Sequence, residues 1–353
     1  MKSSFGKNLR VTIDGGSHEE TIGVTLEGLP ADFDFERDID AAQLQAFLDR
    51  RAPGRSPLTT ARREPDVPEK VSDRPLRLVI RNRDRRSGDY RALRRIPRPG
   101  HADYTARVKY GDRLNMAGGG PFSARMTAPL CIAGGIALQL LERRGITIGS
   151  HIFSVTDIYD RPFEAAMREL PPLAGSDLPV LSAEAGEEMK EEILAARADG
   201  DSVGGVIEAA ALGLPAGLGG PMYDGAESVL APILFGIPAV KGVEFGSGFA
   251  ASCLRGSENN DPFAVEDGRV ITTTNHHGGI LGGITSGMPL LVRVAFKPTP
   301  SIGLPQQSVD LETMQPARLV IEGRHDPCVV VRAAPIVEAA LAAGLLDLLL
   351  DEA

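Results

Sequence analysis

The chain has 353 residues and a formal net charge of -9, with 42% hydrophobic and 24% charged residues, 40 glycines, 26 prolines and no tryptophan. That length supports a large core in one or two domains, and the composition excludes disordered, collagen-like and fibrous chains. Cys131, Cys253 and Cys328 are odd in number and far apart, which fits reduced thiols in a cytoplasmic protein and excludes a disulfide framework.

In chain order, the runs RVTI, IGVTLEG, LRLVIRN, ITIGSHIFSV, GGVIEAAALG, AVKGVEF, PLLVRVAF, ARLVIEG and CVVVRAA read as strands, several with apolar/polar alternation. Helical periodicity covers roughly 38–51, 126–144, 183–198, 225–235 and 335–351, the last with Pro335 at a first helical position. Strands come in groups instead of alternating with helices, so the expected class is α+β in layers, not a Rossmann or TIM architecture. No repeat and no linker divides the chain, which predicts one domain over residues 1–353. The most apolar run, Ile336 to Leu350, is interrupted by Glu338 and Asp347 and is too short to span a bilayer. The N-terminus, MKSSFGKNLRVTIDGG, enters a strand pattern without the apolar stretch of a signal peptide, and no membrane association is expected.

Charge is unevenly placed. Residues 50–125 hold 18 Arg and 2 Lys against 8 acids, a local +12, which leaves -21 for the remainder. Guanidinium groups suit bidentate binding of phosphate or carboxylate. Nucleic acid is the competing partner, opposed by the pI near 5.3 and by the lack of aromatic residues among the basic ones.

Four loops pair histidine with constrained backbone: DGGSHEE (14–20, with Ser17 and His18), RPGHADYT (98–105, with His101 and Asp103), NHHGGILGGITSG (275–287) and GRHDPCVVVR (323–332, with Arg324, His325 and Asp326). The 275–287 stretch lacks the order of a dinucleotide loop or a P-loop, and reads either as a turn beside a sheet or as a ligand-facing loop. No G-x-S-x-G elbow, H-E-x-x-H or C-x-x-C is present, which excludes the familiar hydrolase and zinc patterns. FLDRRAPGRSP (47–57) ends a helix in Arg50 and Arg51, and AGGGPFSARMTAPL (117–130) leads three glycines and Arg125 into a helix start. FKPTPSIG (296–303) sets Lys297 on a proline-constrained loop. All three suit an anionic ligand.

Together these stretches resemble the chorismate synthases along essentially the whole chain, as do SFGKNLRVT, RREPD, DSVGGV, GLPAGLG, LRGSENND and KPTPSI. The resemblance implies a β-α-β sandwich of central helices between antiparallel sheets, assembled as a homotetramer. It also implies a carbon–oxygen lyase of the shikimate pathway, leading to the aromatic amino acids. The reaction would be anti-1,4-elimination of phosphate from 5-enolpyruvylshikimate 3-phosphate, with reduced FMN required but no net redox change. With no reductase segment in the chain, an external NAD(P)H-dependent system would reduce the flavin.

By the same resemblance, His18 would lie near the departing phosphate and His101 beside the reduced flavin. Asp326, with Ser17, would assist proton movement at the flavin. Arg51, Arg125 and Arg324 would hold the phosphate and carboxylates. Ser123, Pro238, Ala239, Gly278, Lys297, Pro298, Thr299, Pro300, Ser301 and Arg324 would border FMN. The chain departs from the family pattern at Gly16, where a glutamate is usual, and at Ala52, Pro57, Pro121 and Phe122. A diverged relative without turnover and a nucleic-acid binder are the alternatives.

Overall fold

The computed structural model describes residues 2–54, 56–60, 65–83, 95–164, 167–321 and 325–351. Two five-stranded antiparallel sheets enclose a layer of helices, the α+β sandwich expected. The first contains β1 (Lys2–Phe5), β2 (Arg10–Gly15), β3 (Thr21–Glu27), β4 (Glu69–Asp73) and β5 (Leu76–Arg81), in the order β1-β2-β3-β5-β4. The second contains β6 (Thr147–Val155), β7 (Ile158–Tyr159), β8 (Gly205–Leu212), β9 (Val240–Phe245) and β10 (Leu290–Phe296), in the order β9-β10-β8-β6-β7. The long helices are α1 (Ala41–Arg51), α2 (Asp103–Tyr110), α3 (Thr127–Glu142), α4 (Ala183–Ala198), α5 (Ala226–Phe235) and α6 (Val330–Leu349).

Helices α3 and α6 form the centre. Helix α3 packs on β3 and β5, α6 packs on β6 and β8, and the two helices lie against each other. Gly134 permits this close crossing, because a Cβ there would overlap Ala339. The sheet faces follow from alternation: Val11, Ile22, Val24, Leu26, Leu78 and Ile80 are fully buried against the helices.

Two expectations need correction. CVVVRAA is not a strand, because α6 begins at Val330 and carries Pro335 inside it. A helix buried on every side loses its amphipathic period, so a β-branched apolar run looks like a buried strand. Secondly, the segment long and apolar enough to cross a membrane is not the Ile336–Leu350 run weighed from sequence but Ala124–Glu142, 19 residues long. It is 89% buried, because it is the central helix of the sandwich.

Candidate active site

A cavity of about 820 Å³ opens at one end of the sandwich. Its walls come from the end of α1, the turn after β2, the turn before α2, the glycine segment before α3, the 236–241 and 297–301 loops, and residues 325–332. Ser17, Arg51, His101, Ser123, Arg125, Pro238, Ala239, Lys297, Thr299, Pro300, Ser301 and Asp326 all line it. His18, Pro298 and Gly278 are not among the lining residues. Arg324 lies outside the described residues, as do Arg55 and part of RREPD.

Arg51 closes the last turn of α1 and is 1% exposed. Arg125 stands in a 3-10 turn, Ala124–Met126, that Ser123 caps and that runs straight into α3. Both guanidinium groups bind Asp66, which is fully buried: Arg51 Nε donates to Oδ2 at 2.9 Å, and Arg125 Nη1 donates to Oδ1. Arg51 also reaches Thr127 Oγ1 at 3.2 Å, and Arg125 Nε donates to Asn82 Oδ1 at 3.1 Å. Burial alone would raise the Asp66 carboxyl, but Arg51 and Arg125 outweigh it and hold it below the usual carboxylate range.

The two histidines meet across glycine. Gly118, Gly119 and Gly120 all have positive φ (63°, 88° and 53°), which only glycine adopts freely in succession. A Cβ on Gly118 would stand 2.5 Å from His18 Cε1 and 2.9 Å from Ser17 Oγ. A Cβ on Gly119 would stand 3.2 Å from His101 Nε2. Ser17 N–H also donates to the Gly120 carbonyl at 3.1 Å. His18 therefore packs behind the glycine wall that His101 faces from the other side. At the neighbouring Gly16, a Cβ would lie 3.1 Å from Glu19 Oε1, so the Glu19 carboxylate folds back over this glycine.

Asp326 Oδ1 accepts from the Thr60 N–H at 2.8 Å, and Oδ2 accepts from Arg332 Nη1 at 2.7 Å. Burial lowers the Arg332 pKa below that of a free guanidinium, against the pull of Asp326. Burial also lowers the pKa of His325 on the same wall, with nearby Arg98 adding to the effect. Lys297 Nζ donates to the Gly100 carbonyl at 2.6 Å; burial, then the neighbouring Lys241, lowers its pKa. Ala239 accepts from Lys297 N–H at 3.0 Å and has φ 75°, a left-handed conformation that costs a non-glycine residue about 1–3 kcal/mol and that clusters at functional sites.

The 275–287 stretch is placed elsewhere. Gly278 packs against Gly246, just past the end of β9, while Val240 at its start lines the cavity. That separation is about 20 Å of extended chain. Asp261 anchors the two histidines: it accepts from the His276 and His277 amides at 2.8 and 3.0 Å and lies 2.9 Å from His277 Nδ1. Burial acts to raise Asp261, yet these bonds and that of Thr274 hold it at about 2. The stretch is more than a turn beside a sheet: after the histidine turn, Ile280–Leu281 and Ile284–Ser286 pair as a hairpin that joins Ala216–Gly219 in a three-stranded sheet.

Sequence reading did not assign Asp66, Arg98, Asp103, Lys241 or Arg332 to the site. Asp66 and Asp103 lie within RREPD and RPGHADYT, and Arg332 within GRHDPCVVVR, but nothing in the spacing marks them as partners of the cavity's cations and imidazoles.

Seven lysines and arginines line the cavity against one acid, Asp326, among the described residues. Its volume suits ligands of cofactor size, and its glycine wall leaves room where side chains would intrude. The donor set therefore fits a flavin phosphate together with a carboxylated, phosphorylated substrate. Such a cavity is suited to an enzyme with an anionic small-molecule ligand. A family model for chorismate synthase matches residues 9–350. A chorismate synthase from Lancefieldella parvula is 46% identical over 371 residues, spanning 99% of this chain and 96% of the relative. One from Thermococcus gammatolerans is 48% identical over 354 residues, spanning 98% and 97%. A crystal structure of chorismate synthase superposes with a TM-score of 0.75 at 28% identity, covering 98% of this chain and 93% of that one. The chain belongs to the chorismate synthase family.

Proposed function

We propose that the protein eliminates phosphate from 5-enolpyruvylshikimate 3-phosphate to give chorismate, using reduced FMN. The observation that carries this reading is the convergence of Arg51, His101, Arg125, Lys297 and Asp326, from five separate stretches of sequence, on one cationic cavity in a member of this family. Reduced FMN, which Lys297, Thr299 and Ser301 would hold, would supply electron density for the loss of phosphate with no net oxidation.

The chain's own residues do the rest. Arg51 and Arg125, held by Asp66, meet the anionic groups of the substrate with geometry fixed before binding. Lys297, Thr299 and Ser301, on the same wall as Pro238 and Ala239, would hold the flavin phosphate. Ser17, which lines the cavity, meets the departing phosphate, and His18, behind Gly118 and off the cavity surface, serves proton movement through it. His101 Nε2 faces the Gly119 wall of the cavity and sets charge and proton position there. Asp326, oriented by Thr60 and Arg332, takes up and returns a proton.

Apolar side chains exposed at Tyr223, Phe249, Phe263 and Val265 support assembly with further copies, as a homotetramer. An external NAD(P)H-dependent reductase in the cytoplasm would supply the reduced flavin. The arginines of the basic segment favour a small ligand over nucleic acid, because Arg51, Arg98 and Arg125 are buried and line the cavity instead of an exposed surface that a nucleic-acid backbone could reach. The test is chorismate formation from the enolpyruvyl substrate without oxygen. Product with dithionite-reduced FMN and none with oxidised FMN is expected; no product from folded, flavin-bound protein would overturn the reading.

A further inference from the structure

The turn that carries His101 is built around an acid that has no role in the reaction so far described. Arg98 is 7% exposed and Asp103 is 8% exposed. Arg98 donates to Asp103 three times: Nε to Oδ2 at 2.7 Å, Nη2 to Oδ1 at 2.7 Å, and its own backbone N–H to Oδ2 at 3.1 Å. His101 Nδ1 lies 2.8 Å from Asp103 Oδ1. Arg98 Nη1 extends the network to Ser301 Oγ at 3.1 Å, on the loop that begins at Lys297.

We propose that Asp103, clamped by Arg98, is a positioning residue that fixes His101 in one tautomer, with Nδ1 protonated and Nε2 turned toward the glycine wall of the cavity.

The chemistry of the partners requires this. An ionised carboxylate only accepts hydrogen bonds, so the ring nitrogen 2.8 Å from it must be the donor. Burial pushes the Asp103 carboxyl up, but Arg98 and His101 overcome it and keep the group well below the ordinary carboxylate range, so it stays an acceptor near neutral pH. Arg98 Nη2 also stands 3.0 Å from His101 Nδ1, but both are donors in this state and the guanidinium gains nothing from that contact. Asp103 is also the first residue of α2, where a carboxylate favours the positive end of the helix dipole. A free imidazole samples both tautomers; here Nδ1 is committed to Asp103, and Nε2, 3.4 Å from Arg98 Nη2, is the unprotonated nitrogen at the glycine wall. The link through Ser301 ties that orientation to the loop proposed for the flavin.

The consequence for turnover rests on the proposed function, but the tautomer does not, and the experiment separates them. In protein labelled with 15N-histidine, long-range proton–nitrogen spectra distinguish a protonated ring nitrogen from an unprotonated one, and His101→Ala assigns the signal among the six histidines. The wild-type ring should show Nδ1 protonated and Nε2 bare in its neutral form. Asp103→Asn should lose that pattern, lower kcat by ~10²-fold or more, and leave KM and FMN affinity within about tenfold. A wild-type ring with its proton on Nε2 would overturn the proposal, and that reading does not depend on any variant folding. A changed tautomer in Asp103→Asn with unchanged kcat would remove the positioning role. Absence of turnover in the wild type, with the expected tautomer, would count against the elimination reaction and not against the Asp103 clamp.

Discussion

Arg51 and Arg125, 74 residues apart, meet on opposite oxygens of the same carboxylate, that of Asp66. Their side chains are therefore set before any substrate arrives, at the cost of burying three charges. Asp66→Asn keeps the shape but leaves two buried guanidinium groups unneutralised. Loss of about 3–5 kcal/mol of stability is expected from urea unfolding at pH 7. A loss below about 1 kcal/mol would contradict the arrangement. The pH dependence has a definite sign. Because the folded carboxyl titrates below its unfolded value near 3.9, its contribution is complete above about pH 5 and fades as pH falls through the folded value. The variant should show a shallower acid decline than the wild type.

Gly118→Ala tests the wall between the histidines. The new methyl would stand 2.5 Å from His18 Cε1, at a φ of 63°. Gly145→Ala is the control, since its φ of 76° imposes similar backbone strain while nothing lies within 4 Å. Both variants should lose about 1–2 kcal/mol from the left-handed conformation. Only Gly118→Ala should also lose turnover. Equal kinetics in the two would separate His18 from the glycine wall.

His101→Ala removes the imidazole that faces Gly119 and leaves Arg51, Arg125 and Lys297 in the cavity wall. Flavin affinity should stay within about tenfold, while the elimination rate falls ~10²-fold or more. Stopped-flow measurement of single turnovers, with FMN binding followed separately, distinguishes the two effects. An unchanged rate would take His101 out of the reaction.

Lys297→Gln removes a cation that burial has already made costly to hold. Binding of FMN should weaken by about 1.5–3 kcal/mol, on the order of ten- to a hundredfold, if that ammonium meets the flavin phosphate. Riboflavin, which has no phosphate, should bind wild type and variant alike. An equal loss for both ligands would place the phosphate elsewhere.

Much of the fold was legible in the sequence because the sheets are amphipathic. β2, β3, β5, β6, β8, β9 and β10 alternate or run apolar between turn residues, and α4 falls on the residues expected, Ala183 to Ala198. The misreading of α6 comes from burial, whereas the short, largely exposed α2, Asp103–Tyr110, carries no apolar stripe to mark it and reads as a loop. Helix α6 has no polar face to reveal its period, so its first turn read as a strand and Pro335 as its start. At the site, residue types that bind phosphate were visible one by one, as Arg51, Arg125 and Lys297. The acids that organise them were not, because Asp66 and Asp103 acquire their meaning only when strand, helix and turn bring the guanidinium groups to them. The histidines of 275–287 show the converse: conspicuous in sequence, they are bound by Asp261 about one strand length from the cavity.

The most direct test of the central claim is release of inorganic phosphate from 5-enolpyruvylshikimate 3-phosphate, without oxygen and with reduced FMN, by the wild type and by a His18→Ala/His101→Ala double variant. Steady release by the wild type, with a fall of ~10³-fold or more in a double variant that still binds FMN, is the expected result. Equal release by the two proteins, or none from folded wild type with flavin bound, would contradict the assignment of this cavity as the place where phosphate leaves.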